Sequence, residues 1–248
     1  MVCGFLDRVK IPKLTISQRE DINGEISVGE VLAAIKNMPV KKCPGPDGLP
    51  AEYYKAYADI IAPRLLEMLQ EAKAQGLLPV TMRKALIVMI PKKENEETEP
   101  GACRSLSLLG VDTKILATRL RTVVTHLVME DQCGFMPGHG THMTLRRLSN
   151  IMCAVQDQEM DAALAALDIE KAFDMLGWDY LWEALERMGL GDEFLRWLCL
   201  LYVQPVARVT TGNIVSKVIR IKRGTKQGCP LSPLLFALAM EPLALYLR

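Results

Sequence analysis

The hydrophobic positions divide the chain into helix-spaced runs, broken by two short β-branched ones. Val31, Ile35 and Met38 fall on one helix face behind Ser27-Val-Gly-Glu30. That tetrad is a capping box, in which the serine oxygen and the glutamate satisfy free helix amides. Ala51 to Gln75 reads as helix, interrupted near Pro63 and stopped by Gly76. Ala85-Leu-Ile-Val-Met-Ile90, bounded by Pro91, predicts a strand. Asp112 is placed to cap a helix whose stripe is Leu116, Leu120, Val123 or Val124, and Leu127, with Arg119 and Arg121 elsewhere on its surface. Thr141 to Gln156 predicts a helix presenting Arg146 and Arg147. Asp179 caps one with Leu181, Leu185 and Met188 on one face, and another runs from about Glu193 to Val203. Val206 to Thr211, Gly212-Asn213 and Ile214 to Ile221 carry a hairpin signal, with Ile219 and Ile221 alternating with Arg220 and Lys222. Ser232-Pro233 opens a last helix, interrupted by Pro242.

One stretch does not resolve by pattern. Leu164-Ala-Ala-Leu-Asp-Ile-Glu-Lys-Ala-Phe-Asp-Met-Leu-Gly-Trp178 is helical by propensity. A buried strand ending at Asp168 is the competing reading, and periodicity cannot separate the two. An acid delivered by a buried run is held at the edge of a core, where it can serve as a hard oxygen ligand for Mg²⁺. A solvated acid capping the next helix is the plainer alternative.

Composition adds one asymmetry. Net charge is only +1 over 248 residues, yet Phe194 to Met240 contains no acid. It does contain Arg196, Arg208, Lys217, Arg220, Lys222, Arg223 and Lys226. Such a stretch is either an electrostatic footprint for phosphates or the exposed basic face of a hairpin. The seven cysteines include no Cys-x-x-Cys, and the three histidines lack zinc spacing. Free thiols in a reducing, intracellular compartment are expected, with cytoplasm and nucleus left open. No apolar run reaches membrane-spanning length, and the start lacks the regions of a signal peptide.

Two stretches taken together carry a family resemblance. Leu167-Asp-Ile-Glu-Lys-Ala-Phe-Asp174 and Arg223-Gly-Thr-Lys-Gln-Gly-Cys-Pro-Leu-Ser-Pro233 resemble, in order and spacing, the first catalytic motif and the following template- and nucleotide-contacting motif of LINE-type non-LTR retrotransposon reverse transcriptases. Three further segments are similar to the same family: Lys41-Lys-Cys-Pro-Gly-Pro-Asp-Gly48, the Ile90-Pro-Lys92 and Arg104-Ser-Leu-Ser-Leu ends of a fingers hairpin, and Asp131-Gln-Cys-Gly-Phe-Met-Pro-Gly138. Ser105 stands where the family has proline, His139 where many relatives have arginine, and four glutamates lie between the hairpin ends.

The resemblance implies an α+β, right-hand polymerase fold: helical fingers plus a partial palm with antiparallel strands, the thumb absent. Residues 1–40 would be a lead-in and helix, 41–160 the fingers and 161–248 the partial palm, with the reverse transcriptase domain at about 72–248. It places the run ending at Asp168 on a sheet, next to the Val206 to Ile221 hairpin or the strands it leads to. By the same resemblance Asp168 is the catalytic metal ligand, the Ile169 carbonyl assists, and the complete site holds two Mg²⁺ ions. Lys92, Arg104, Phe173, Gln227 and Gly228 bind the deoxynucleoside triphosphate, and Lys92, Arg104 and Gln227 should share a cleft with Asp168. Arg220, Lys222, Arg223 and Lys226 contact nucleic acid. The implied partners are an RNA template and a DNA primer, with no membrane. The family's aromatic-Ala-Asp-Asp motif does not follow, and the only acid after Glu193 is Glu241. The reading is therefore a fragment of an RNA-directed DNA polymerase, inactive in isolation. The alternative is a non-catalytic remnant that binds RNA or DNA.

Overall fold

A computed structural model describes residues 2–42, 44, 48–91, 103–108, 112–211, 214–225 and 228–248. The first part is helical: α1 (Val2–Leu6), α2 (Ile16–Asn23), α3 (Val28–Lys36), α4 (Ala51–Ala56), α5 (Ala58–Gln75) and α6 (Val80–Arg83). The hairpin β1 (Lys84–Pro91) and β2 (Cys103–Leu108) follows, then α7 (Asp112–Val123) and α8 (Thr141–Asp157). Next come the single turn α9 (Ala172–Met175), α10 (Trp178–Arg187) and α11 (Asp192–Leu201). The chain continues through β3 (Val206–Thr211), β4 (Ile214–Val215) and β5 (Ile219–Arg220) into α12 (Ser232–Leu247).

Local signals explain most of these boundaries. The Ser27 hydroxyl accepts from the Glu30 amide while Glu30 reaches back to the Ser27 amide, which starts α3. Gly76 takes the left-handed conformation that closes α5. The expected interruptions at proline do not occur. The break between α4 and α5 falls at Tyr57, upstream of Pro63, and α12 runs unbroken through Pro242. Asp179 lies in the first turn of α10, whose N-cap is Gly177.

The sheet is mixed, not purely antiparallel. Its order is β2-β1-β3-β4, with β5 also paired to β3. The β1–β2 hairpin is antiparallel, with Ile90 opposite Arg104. Strands β1 and β3 run parallel, pairing Lys84 with Val206 and Leu86 with Arg208. The return from β3 is split in two: β4 pairs with Thr210 and Thr211, and β5 with Val206 and Ala207. Ser216 bridges the gap, its amide donating to the Val209 carbonyl at 2.8 Å and its hydroxyl accepting from the Val209 amide at 2.9 Å.

The core lies among the helices. Leu120 and Leu127 meet Leu181, Leu185 and Met188 of the α10 region, Phe194 and Leu198 of α11, and Leu235 and Leu238 of α12, all at 0% exposure. Arg119 is not the surface residue its position suggested. It is 8% exposed, and its guanidinium grips both Glu30 carboxylate oxygens at 2.6 and 2.9 Å. It also donates to the carbonyls of Ile22, Gly24 and Glu25. This fork fastens the α2–α3 turn to α7.

Candidate nucleic-acid interface

Residues 161–169 form neither the expected strand nor the continuous helix that propensity favoured; they have no regular structure. Leu164 is 75% exposed and Leu167 82% exposed. A run apolar on both sides makes a stable strand only with neighbours at its edges and layers over its faces. One edge of β3 is occupied by β1 and the other by β4 and β5. Asp168 and Ile169 sit on exposed, irregular backbone.

Regular structure resumes after Lys171, which takes a left-handed conformation with φ of 48° and caps α9. The Asp174 and Met175 amides both donate to the Lys171 carbonyl, closing the turn. Phe173 stands where three separate segments of the chain converge. Its ring lies 6.0 Å from Phe135, edge-on, and 5.1 Å from Phe236. Phe135 belongs to the Asp131–Gly138 segment and Phe236 to α12, so one half-buried ring joins all three.

The basic loop docks on the same turn. The Gly224 amide donates to the Leu176 carbonyl at 2.8 Å, and the Thr225 amide to the Phe173 carbonyl at 2.6 Å. Gly224 has φ of 83°, and a Cβ there would lie 2.6 Å from the Asp174 carbonyl oxygen, so only glycine fits. The Trp178 indole donates to the Gly224 carbonyl at 2.9 Å. Arg223 reaches the Met175 sulfur at 4.0 Å, while Lys222 beside it is exposed.

Strand register assembles a cationic face. Lys84, Val206 and Arg220 stand side by side, and Arg208 is two residues along from Val206. Side chains in register share a sheet face, so Lys84, Arg208 and Arg220 project from one side. The opposite parity carries the buried Ala85 and Ala207. All three cations are exposed, and none has an ion pair among the described residues. They span two strand spacings, roughly 10 Å, about one Debye length in physiological salt, so their fields reinforce.

Of the other expected site residues, Arg104 stands on β2 opposite Ile90, and Gly228 is exposed with φ of 88°. Lys92, Lys226 and Gln227 lie outside the described residues, and with them the expected shared cleft. Among the described residues no three Asp, Glu, His or Cys side chains are grouped as a metal would require. Asp168 alone supplies at most two oxygens, against about six positions around Mg²⁺, so the donors present do not fit a held ion. A groove of about 680 Å³ lined by Gln70, Lys73, Arg196 and Trp197 lies between α5 and α11 and includes none of the expected site residues. No helix of the described residues is long and apolar enough to cross a membrane.

Comparison with known proteins decides the family. Residues 90–248 match the family described as "Reverse transcriptase (RNA-dependent DNA polymerase)". The chain belongs to the reverse transcriptases of non-LTR retrotransposons. It is similar to the transposon TX1 uncharacterized 149 kDa protein of Xenopus laevis, 30% identical over 242 residues that cover 96% of this chain and 18% of that protein. It is also similar to the RNA-directed DNA polymerase from mobile element jockey of Drosophila melanogaster, 27% identical over 218 residues covering 86% and 24% respectively. The Pol polyprotein from retrotransposable element R2DM of the same fly is 28% identical over 204 residues, covering 81% and 19%. The chain thus spans about a fifth of the length of these relatives.

Several residues of this candidate interface escaped the sequence reading. Lys84 follows a short helix and carries no motif, and only its pairing with β3, more than a hundred residues away, gives it cationic company. Phe135 lay inside the Asp131–Gly138 segment and Phe236 three residues past Pro233, but nothing in their spacing signalled a shared aromatic contact. Trp178 closed the central stretch as its last residue, and its N–H donor was the available clue, since an indole N–H at a domain interior usually has an acceptor.

Proposed function

We propose that this chain is the template-holding part of an RNA-directed DNA polymerase that copies retrotransposon RNA into DNA. As an isolated polypeptide it binds RNA or single-stranded DNA and does not extend a primer. The observation that carries the reading is the cationic face of Lys84, Arg208 and Arg220, without an ion pair among the described residues, whose Arg220 leads into the loop docked on the Phe173 turn. Exposed lysine and arginine side chains in that arrangement suit a phosphate backbone, which releases counterions as it binds. In this reading Phe173 and Gly228 lie along the nucleotide's path, with Lys92, Arg104 and Gln227 as its further contacts. Arg220, Lys222, Arg223 and Lys226 track the strand.

The second reading, a nucleic-acid-binding chain without catalysis, is favoured by the exposure of Asp168 and the lack of a grouped donor set among the described residues. Both readings share the binding step and part at turnover. Primer extension on an RNA template, with Mg²⁺ and all four deoxynucleotides, separates them. The chain alone is expected to give no extension. Joined to a segment bearing the aromatic-Ala-Asp-Asp hairpin and a thumb, it is expected to extend, and Asp168→Asn is expected to abolish that activity. Extension by the unjoined chain that is lost in Asp168→Asn would overturn the assignment of an incomplete donor set. Extension by the joined protein that survives Asp168→Asn would remove Asp168 from the site.

A further inference from the structure

Gly224 is held through both of its backbone polar groups, which lie in successive peptide units. Its amide donates to the Leu176 carbonyl at 2.8 Å, and its carbonyl accepts from the Trp178 indole at 2.9 Å. The following amide, of Thr225, donates to the Phe173 carbonyl at 2.6 Å. Gly224 and Thr225 are buried, although Lys222 and Arg223 immediately before them are exposed. The indole is itself fixed, lying edge-on to Tyr202 with ring centroids 5.3 Å apart, and Trp182 packs on Tyr202 at 5.2 Å. An indole N–H can only donate, so its one polar interaction is committed to the loop.

We propose that Trp178 is a positioning residue for nucleic-acid binding. Its N–H pins the Gly224 carbonyl, so the cations at 222 and 223 and the acid-bearing turn at 173–176 move as one body. This rests on the nucleic-acid role proposed for the basic face. The physical gain is pre-organisation: a loop already fixed loses less freedom when a phosphate engages its side chains. Without the indole donor the loop keeps its two amide hydrogen bonds to the turn but loses the restraint on the carbonyl end of the peptide joining Gly224 to Thr225.

The test uses the full chain and three variants: Trp178→Phe, Trp178→His and Trp182→Phe. Phenylalanine keeps an aromatic ring against Tyr202 and removes the donor. Histidine protonated at Nε2 places an N–H at the ring position of the indole nitrogen. Trp182→Phe perturbs the same aromatic stack from its other side. The first readout is residue-resolved hydrogen exchange at the Gly224 and Thr225 amides. The second is anisotropy of a labelled single-stranded oligouridine RNA at several salt concentrations. Trp178→Phe is expected to speed exchange at both amides roughly 3- to 10-fold, the effect of losing one hydrogen bond. It is also expected to weaken RNA binding roughly 2- to 5-fold with an unchanged salt slope, because no charge is removed. Trp178→His is expected to restore both. Wild-type exchange in Trp178→Phe, or the same acceleration in Trp182→Phe, would overturn the proposal, because packing and not the donor would then hold the loop. If the wild-type chain binds no RNA while exchange responds as described, the clamp stands and the nucleic-acid reading is what fails.

Discussion

Replacing Arg119 by methionine tests how much of the helical body hangs on one polar contact. Methionine fills much of the space of the arginine stem but supplies no donor. The change leaves Glu30 without its bidentate partner and the carbonyls of Ile22, Gly24 and Glu25 without their guanidinium donors. Breaking a buried pair by removing one partner costs about 3–5 kcal/mol. The Glu30 side chain is 34% exposed and regains some hydration, which puts the expectation near the lower end, about 3 kcal/mol. For a chain of this size that lowers Tm by roughly 6–12 °C. Thermal and urea unfolding followed by circular dichroism would measure it, with Arg121→Met, exposed on the same helix, as the control expected within about 0.5 kcal/mol of wild type. The pH dependence has a definite sign. Burial pushes the Glu30 carboxyl up, but hydrogen bonds from Arg119 and Ser27 and the guanidinium charge outweigh it and hold the pKa below the ordinary value. A depressed carboxylate stabilises above its unfolded pKa and loses that contribution as pH falls through the folded one. The gap between wild type and Arg119→Met should therefore shrink below about pH 4. A Tm within 2 °C of wild type at pH 7 would refute the reasoning.

Gly224→Ala should destabilise the chain by about 2 kcal/mol or more, from the positive φ and a Cβ forced against the Asp174 carbonyl; urea unfolding checks it, and a neutral alanine would mean the loop is not docked on the Phe173 turn. Glu241 is fully buried beside Arg248, and burial outweighs the Arg248 and Met129 hydrogen bonds to hold its carboxyl above the usual range. A raised folded pKa favours folding at low pH and loses that contribution as pH rises through it. Glu241→Gln is thus expected to remove the part of the gain in Tm that appears as pH falls toward the ordinary glutamate range, and an unchanged pH profile would contradict the assignment.

Local chemistry was the legible part of this fold. The Ser27–Glu30 capping box, the β-branched run before Pro91 and the Gly76 stop each depend on a few neighbouring residues, and each appears as read. What needed distant partners was not legible. Arg119 sits beside core positions Leu116 and Leu120, and helical periodicity assigned it to the surface because periodicity carries no record of a buried carbonyl cluster from another helix pair. The strand expected at 164–168 is a related case: strand pairing needs a distant partner, and the segment is irregular and exposed while β3 is flanked by β1 on one side and by β4 and β5 on the other. The cationic face is a third case, since the pairing of β3 with both β1 and β5 sets Lys84 and Arg220 on either side of Val206 without any sequence motif linking them.

The claim that this reverse transcriptase chain holds nucleic acid on that face is tested most directly by the salt dependence of RNA binding. Single-stranded RNA affinity would be titrated for the wild type and for Lys84→Ala/Arg208→Ala/Arg220→Ala across 50–200 mM salt. Each phosphate contact contributes roughly 0.7 to the slope of log affinity against log salt. The triple variant should therefore bind more weakly, with a slope shallower by roughly 2. Equal slopes for the two proteins would place the phosphates elsewhere and contradict the account.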